Sequence, residues 1–238
     1  MIVNYTENGW EIILQRTHGL LAGELCQHWK VSHRPSRWLE TLIATTEHDD
    51  VFNEFERGPL LTTKLTPLDF KMTCFDEKAS EDMISMALSK SRFIALLLAS
   101  HINFTHGEEP KAAKFLRKLK TNSEKWMQQV ATNGQEVANA YELLEFCDAF
   151  SLLICQDQIP PRERKLEIST GPDGRRYQFF QRKQTLVVEP WPFEEDCFEV
   201  SYERRILEAV SFQTDEDLQS ALESARIEVR KVVLSRSI

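Results

Sequence analysis

Thr45-Thr46-Glu47-His48-Asp49-Asp50 puts an imidazole beside two carboxylates, where a helical pattern gives way to irregular sequence. Upstream, Pro35-Ser36 opens a helix that Trp38 and Leu42 continue. Downstream, residues 51–76 hold Gly58-Pro59, Pro67 and scattered aromatics. A loop of that length in a compact domain is often functional, and a plain covering loop is the alternative. Neighbouring residues of an ideal helix face different ways. His48 and Asp49 can therefore meet on one ion only at a helix end or a distortion, and Asp50 leads into such an end.

Working outward, residues 2–14 alternate around Asn8-Gly9, a hairpin signal with strands near 2–5 and 10–14. Leu14, Leu21, Leu25 and Trp29 mark the apolar face of a helix over about 16–29. Further helices are expected over about 77–104, from Pro110 to before Asn133-Gly134, and over about 135–155, stopped by Pro160-Pro161. Strands follow near 166–169, 177–181, 185–188 and 198–202, with Gly171-Pro172-Asp173-Gly174 as a turn. A last helix starts at Thr214, with Asp217 in a capping-box position, and runs to about 232. The expected division is a helical body with its N-terminal hairpin over 1–160 and a mixed β/α tail over 161–238, whose sheet the hairpin can join. The prolines of Pro190-Trp191-Pro192-Phe193 bar an interior strand position. The segment reads as a wedge between tail and body, or else as a lid.

Three more residues bear on His48-Asp49. His18 lies in the first helix and His101 late in the third. Asp148 sits among Leu144, Phe146, Leu152 and Leu153, where a carboxylate is costly unless paired or bound to a metal. Its plain alternative is a solvent-facing position or an arginine partner; for His101 it is an ordinary core histidine. Imidazole and carboxylate together suit a divalent ion, with Mn, Fe, Zn or Co ahead of Mg. Asp50 or Glu47 can orient a ligating histidine or accept a proton, and Arg16 can reach a phosphate with its planar fork. Ordinary surface charge is the favoured alternative for Asp50 and Glu47, and a surface salt bridge is the alternative for Arg16. His28, His33 and His106 are peripheral. Gly-x-x-x-x-Gly-Lys, Gly-x-Ser-x-Gly and His-Glu-x-x-His are all absent.

A histidine, then a His-Asp pair, then a distant aspartate, each from a different helix, resembles the HD superfamily of metal-dependent phosphohydrolases. That resemblance implies a mainly α, HD-domain-like helical bundle, all-α apart from the N-terminal β-hairpin and a small C-terminal β/α appendage. It implies His18, His48, Asp49 and Asp148 as metal ligands, His101 as the extra histidine of some phosphodiesterase branches, and Asp49, Asp50 and Arg16 as catalytic candidates. Phe52 stands where many such enzymes carry lysine, and the Gly-Tyr-Pro motif of the cyclic-dinucleotide branch is missing. The opening Met1-Ile2-Val3, the Gln15-Arg16-Thr17-His18 helix, His48-Asp49 and Pro190-Trp191-Pro192-Phe193 together resemble a bacterial family known only as a domain of unknown function. The expected activity is phosphohydrolase or phosphodiesterase chemistry on a small phosphorylated substrate. The alternatives are a non-catalytic metal- or ligand-binding module and a scaffold without metal.

Composition limits the partners. The net charge is −8, so the basic excess that duplex nucleic acid demands is lacking; the basic stretch 111–125 reads as a solvated helix face. No signal peptide is visible. The most apolar run, 93–99, is far short of the ~20 residues that span a bilayer. Five cysteines with no Cys-x-x-Cys fit reduced thiols, so a cytoplasmic protein is expected. Oligomeric state is not legible.

Overall fold

Gly9 takes φ +122°, which L side chains rarely adopt, and so turns the chain between β1 (Ile2–Thr6) and β2 (Gly9–Ile13). The computed structural model describes residues 1–236. The hairpin does not stand alone: β2 pairs antiparallel with β6 (Cys197–Leu207), so both ends of the chain build one sheet. That sheet has seven strands in the order β1-β2-β6-β7-β5-β4-β3, with β3 Leu166–Thr170, β4 Arg176–Arg182, β5 Thr185–Glu189 and β7 Arg226–Ser235. All pairings are antiparallel except β5 with β7.

This architecture corrects the mainly α, HD-like bundle. The chain is mixed, 45% helix and 22% strand, and its sheet curls into a half-barrel. Two local readings are corrected as well, and the first of them fed the all-α picture. The last helix, α7 (Asp215–Ser224), stops early, and the sequence expected to continue it is β7. Arg226-Ile227-Glu228-Val229 alternates polar and β-branched residues, and ten registered pairs with β6 outweigh the helix propensity of Arg, Glu and Lys. The single helix expected over 77–104 is two, α3 (Glu77–Lys90) and α4 (Arg92–His106). Ser91 between them is extended, at φ −159° and ψ 141°, and its hydroxyl accepts from the Phe93 N–H to cap α4.

The sheet packs its inner face on α1 (Gln15–Gln27) and α6 (Gly134–Cys155), burying Leu21, Leu25, Trp29, Phe146 and Phe150 against Phe179, Val188 and Val200. A second core joins α6 to α3, α4 and α5 (Ala113–Gln129) through Leu144, Phe93, Leu97 and Phe115. Pro190-Trp191-Pro192-Phe193 lies on the end of α1: Phe193 is fully buried beside Trp29, and the Lys30 N–H donates to the Pro192 carbonyl. Among the described residues no helix is long and apolar enough to cross a membrane.

Candidate metal centre

The centre forms where the two cores meet, and two glycines make the approach. In Gly19-Leu20-Leu21-Ala22-Gly23, one face of α1 lies against the end of α2 (Trp38–Thr46). A Cβ on Gly19 would stand 2.6 Å from the Thr46 carbonyl oxygen, and one on Gly23 would collide with the Thr46 hydroxyl. This contact brings His18, one residue before Gly19, next to His48 in the turn beyond α2. The turn resolves the facing problem of consecutive residues, since His48 and Asp49 lie outside the helix.

His18 Nε2 and His48 Nε2 lie 3.1 Å apart, and Asp148 Oδ1 is 3.3 Å from the first and 3.1 Å from the second. Asp49 Oδ2 is 3.5 Å from His18 Nε2 and 3.7 Å from His48 Nε2. His101, on α4, sets its ring 5.0 Å from that of His48. His18, His48 and Asp49 each offer a donor atom within 4.8 Å of the others, and so do His48, His101 and Asp148. The structure thus brings all five sequence candidates for ligation into one cluster, buried except at Asp49, which is partly exposed.

The donor set fits a metal ion. Ligand atoms bonded at about 2.1 Å stand about 3.0 Å apart along an octahedral edge and about 3.4 Å along a tetrahedral one. The spacings of 3.1–3.7 Å here cover that range. The Nδ1–H of His48 donates to the Thr45 carbonyl at 2.8 Å, turning Nε2 inward, the arrangement by which proteins orient ligating imidazoles. Asp49 is held by the Gln15 carboxamide, whose Nε2 donates to Oδ2 at 2.9 Å. The Nδ1 atoms of His18 and His101 are buried without a hydrogen-bond partner.

With no ion, protons hold the cluster together. Burial works against a charged His48, but the charges of Asp148 and Asp49, with hydrogen bonds to Asp148 and Thr45, raise its pKa to about 10. Burial likewise opposes an ionised Asp148, yet the charge of His48 and hydrogen bonds from His18 and His48 keep it well below the usual carboxylate range. His101 is pushed down by burial and by the charge of His48. The His48 contribution to stability is complete below its unfolded value of 6.5 and is lost as pH rises towards 10. The Asp148 contribution is complete above 3.8 and is lost in more acid solution. EDTA-treated protein is therefore expected to lose melting temperature from about pH 7 to 10, and His48→Gln to lose much less over that range. Ion affinity should move oppositely, rising with pH because each ion displaces the proton on His48.

The catalytic candidates divide. Asp49 is in the cluster. The Asp50 carboxyl is half-buried, with its pKa raised by burial. Arg16 is not free for a phosphate as placed: Nε and Nη2 both donate to the Asp50 carbonyl, at 3.0 and 2.5 Å. Glu47 is tied to Lys90. Phe52 packs with Leu60 and Phe212 in a small apolar cluster.

Five contributors had no role assigned from sequence. The Gly-x-x-x-Gly spacing of Gly19 and Gly23 beside His18 was the available signal for the α1–α2 approach. Gln15 carried none. Tyr141 and Glu145 precede Asp148 by seven and three residues on α6, a spacing that puts them on one helix face with it. Burial raises Glu145 to about 6 and Tyr141 above the ordinary tyrosine range.

No curated protein and no solved structure matches this chain. The family described as "Protein of unknown function (DUF3891)" matches residues 1–209, a span that holds every residue of the cluster and Pro190-Trp191-Pro192-Phe193. The chain belongs to the DUF3891 family.

Proposed function

We propose that this protein is a metal-dependent phosphohydrolase or phosphodiesterase acting on a small phosphorylated molecule. The observation that carries the reading is the convergence of His18 Nε2, His48 Nε2 and Asp148 Oδ1 within 3.3 Å of one another in a buried site. Their order along the chain, with Asp49 beside His48, resembles that of HD phosphohydrolases, and this favours a phosphoester over other hydrolysable bonds. The likeness lies in the ligand order, and the surrounding fold differs from an HD bundle.

His18, His48, Asp49 and Asp148 would hold the ion, with His101 alongside; the mixed nitrogen and oxygen donors favour Mn, Fe, Zn or Co over Mg. A divalent ion there supplies water of lowered pKa and offsets charge on phosphoryl oxygens. The chain does the rest. Gln15 and the Thr45 carbonyl fix the angles of Asp49 and His48. Asp50, whose raised pKa brings it closer to neutrality, stands next to Asp49 as a proton acceptor. The apolar packing of α4 and α6 keeps bulk water from the histidines.

Manganese-loaded protein is expected to hydrolyse p-nitrophenyl phosphate or bis(p-nitrophenyl) phosphate. His48→Ala should lower kcat by about 1000-fold or more, since the ion and its water are lost together. A second reading, an ion-binding module without turnover, is favoured by Phe52 and by the engagement of Arg16 with Asp50, which leave the cluster without the usual phosphate-binding cation. Metal-loaded protein inert towards every phosphoester class would decide for the module.

A further inference from the structure

Five rings run in file from the buried cluster outward. His18 and His48 have centroids 4.9 Å apart, His48 and His101 5.0 Å, His101 and Tyr141 6.3 Å, and Tyr141 and Phe104 6.2 Å. Exposure rises along the file, from 0% at His18 and His48 through 5% at His101 to 62% at Phe104. The last two rings are unlike the rest. The Tyr141 hydroxyl is buried, within electrostatic reach of Glu145 and Asp148, and has no hydrogen-bond partner. A buried, unpaired hydroxyl is costly, and a bound ligand that accepts from it removes the cost. Phe104 sits three residues beyond His101 on α4, a large apolar ring left open to solvent.

We propose that Tyr141 and Phe104 form the substrate subsite of the metal centre: the phenol donates to an oxygen of the phosphoryl group, and the Phe104 ring receives an aromatic group of the ester, aryl or nucleobase. This rests on the phosphoester reading above. The hydroxyl is a fitting donor because a tyrosine phenol carries its proton at neutral pH and this one has no partner in the fold. The edge-on contact with Tyr141 leaves Phe104 ring surface free, and aromatic pairs prefer offset or edge-to-face packing over a closed sandwich.

The test uses the full chain loaded with manganese, with inorganic phosphate and phenyl phosphate as probes in calorimetric titrations. Metal content is read first. Wild type should bind both probes, phenyl phosphate more tightly. Tyr141→Phe should weaken both by about tenfold, the loss of one hydrogen bond to a charged group, with metal content unchanged and melting temperature steady or raised, because deleting a buried hydroxyl without a partner removes its cost to the fold. Phe104→Ala should remove the preference for phenyl phosphate, about 2- to 10-fold, and leave inorganic phosphate alone. Phosphate binding insensitive to Tyr141→Phe, or a Phe104→Ala variant that keeps its preference, would overturn the subsite and leave the metal-dependent hydrolase standing. Manganese bound with neither probe, or no manganese bound at all, would remove the phosphoester reading and the subsite together.

Discussion

Asp148→Asn is expected to abolish tight ion binding and to destabilise the ion-free protein as well. Asp148 is the carboxylate between both imidazoles, 3.3 Å from His18 and 3.1 Å from His48. Outer partners of metal ligands are worth about 10- to 100-fold in affinity. Loss of a charged ligand itself should cost more than about 100-fold. Without the ion, the substitution leaves His48 facing an uncharged amide in a fully buried site. Removing one partner of a buried pair costs about 3–5 kcal/mol, or roughly 6–20 °C in melting temperature for a chain of this size. Calorimetric titration with manganese and thermal melts in EDTA measure the two effects separately. Unchanged affinity would show that Asp148 is no ligand.

Gly19→Ala adds only one methyl group, yet it is expected to destabilise the protein and to loosen the ion site. The new methyl would stand 2.6 Å from the Thr46 carbonyl oxygen, and that oxygen belongs to backbone that cannot rotate aside. Helix propensity pulls the other way by about 1 kcal/mol, and overpacking costs about 1–3 kcal/mol. The net loss should be up to about 2 kcal/mol, with ion affinity down about tenfold because α1 carries His18 away from His48. Gly134→Ala is the internal control. It is the same chemical change at the start of α6, with nothing within 4 Å of the added methyl, and it should stabilise by up to about 1 kcal/mol without touching the ion. Melts and manganese titrations of the two variants side by side check the contrast.

The same residues explain what sequence could and could not reveal. His101 and Asp148 stood out because an imidazole or a carboxylate inside an apolar helix demands a partner, and His18 and His48-Asp49 because of their order along the chain, with the pair at a helix end. The hairpin at Asn8-Gly9 was legible because a local turn specifies it. Four more strands were legible as well, with a sheet that the hairpin can join; the seven-strand order and its curl were not, because they depend on partners far apart in the chain. Nothing in Trp10-Glu11-Ile12 announces β6, almost 200 residues on, and Arg226-Ile227-Glu228-Val229 becomes a strand only when β6 is there to receive it. The break at Ser91 was hidden for a different reason: a capping serine without glycine or proline leaves the apolar pattern running across it. Tyr141 passed unnoticed because a tyrosine on an apolar helix face looks like core until its hydroxyl is found without a partner.

The central claim is that this cluster holds a divalent ion. Anomalous diffraction at the manganese edge, from crystals of the protein equilibrated with manganese, tests it most directly. The account predicts a peak within about 2.3 Å of His18 Nε2, His48 Nε2 and an Asp148 oxygen. An empty map at that position, with these three side chains still in contact and the protein folded, would contradict it.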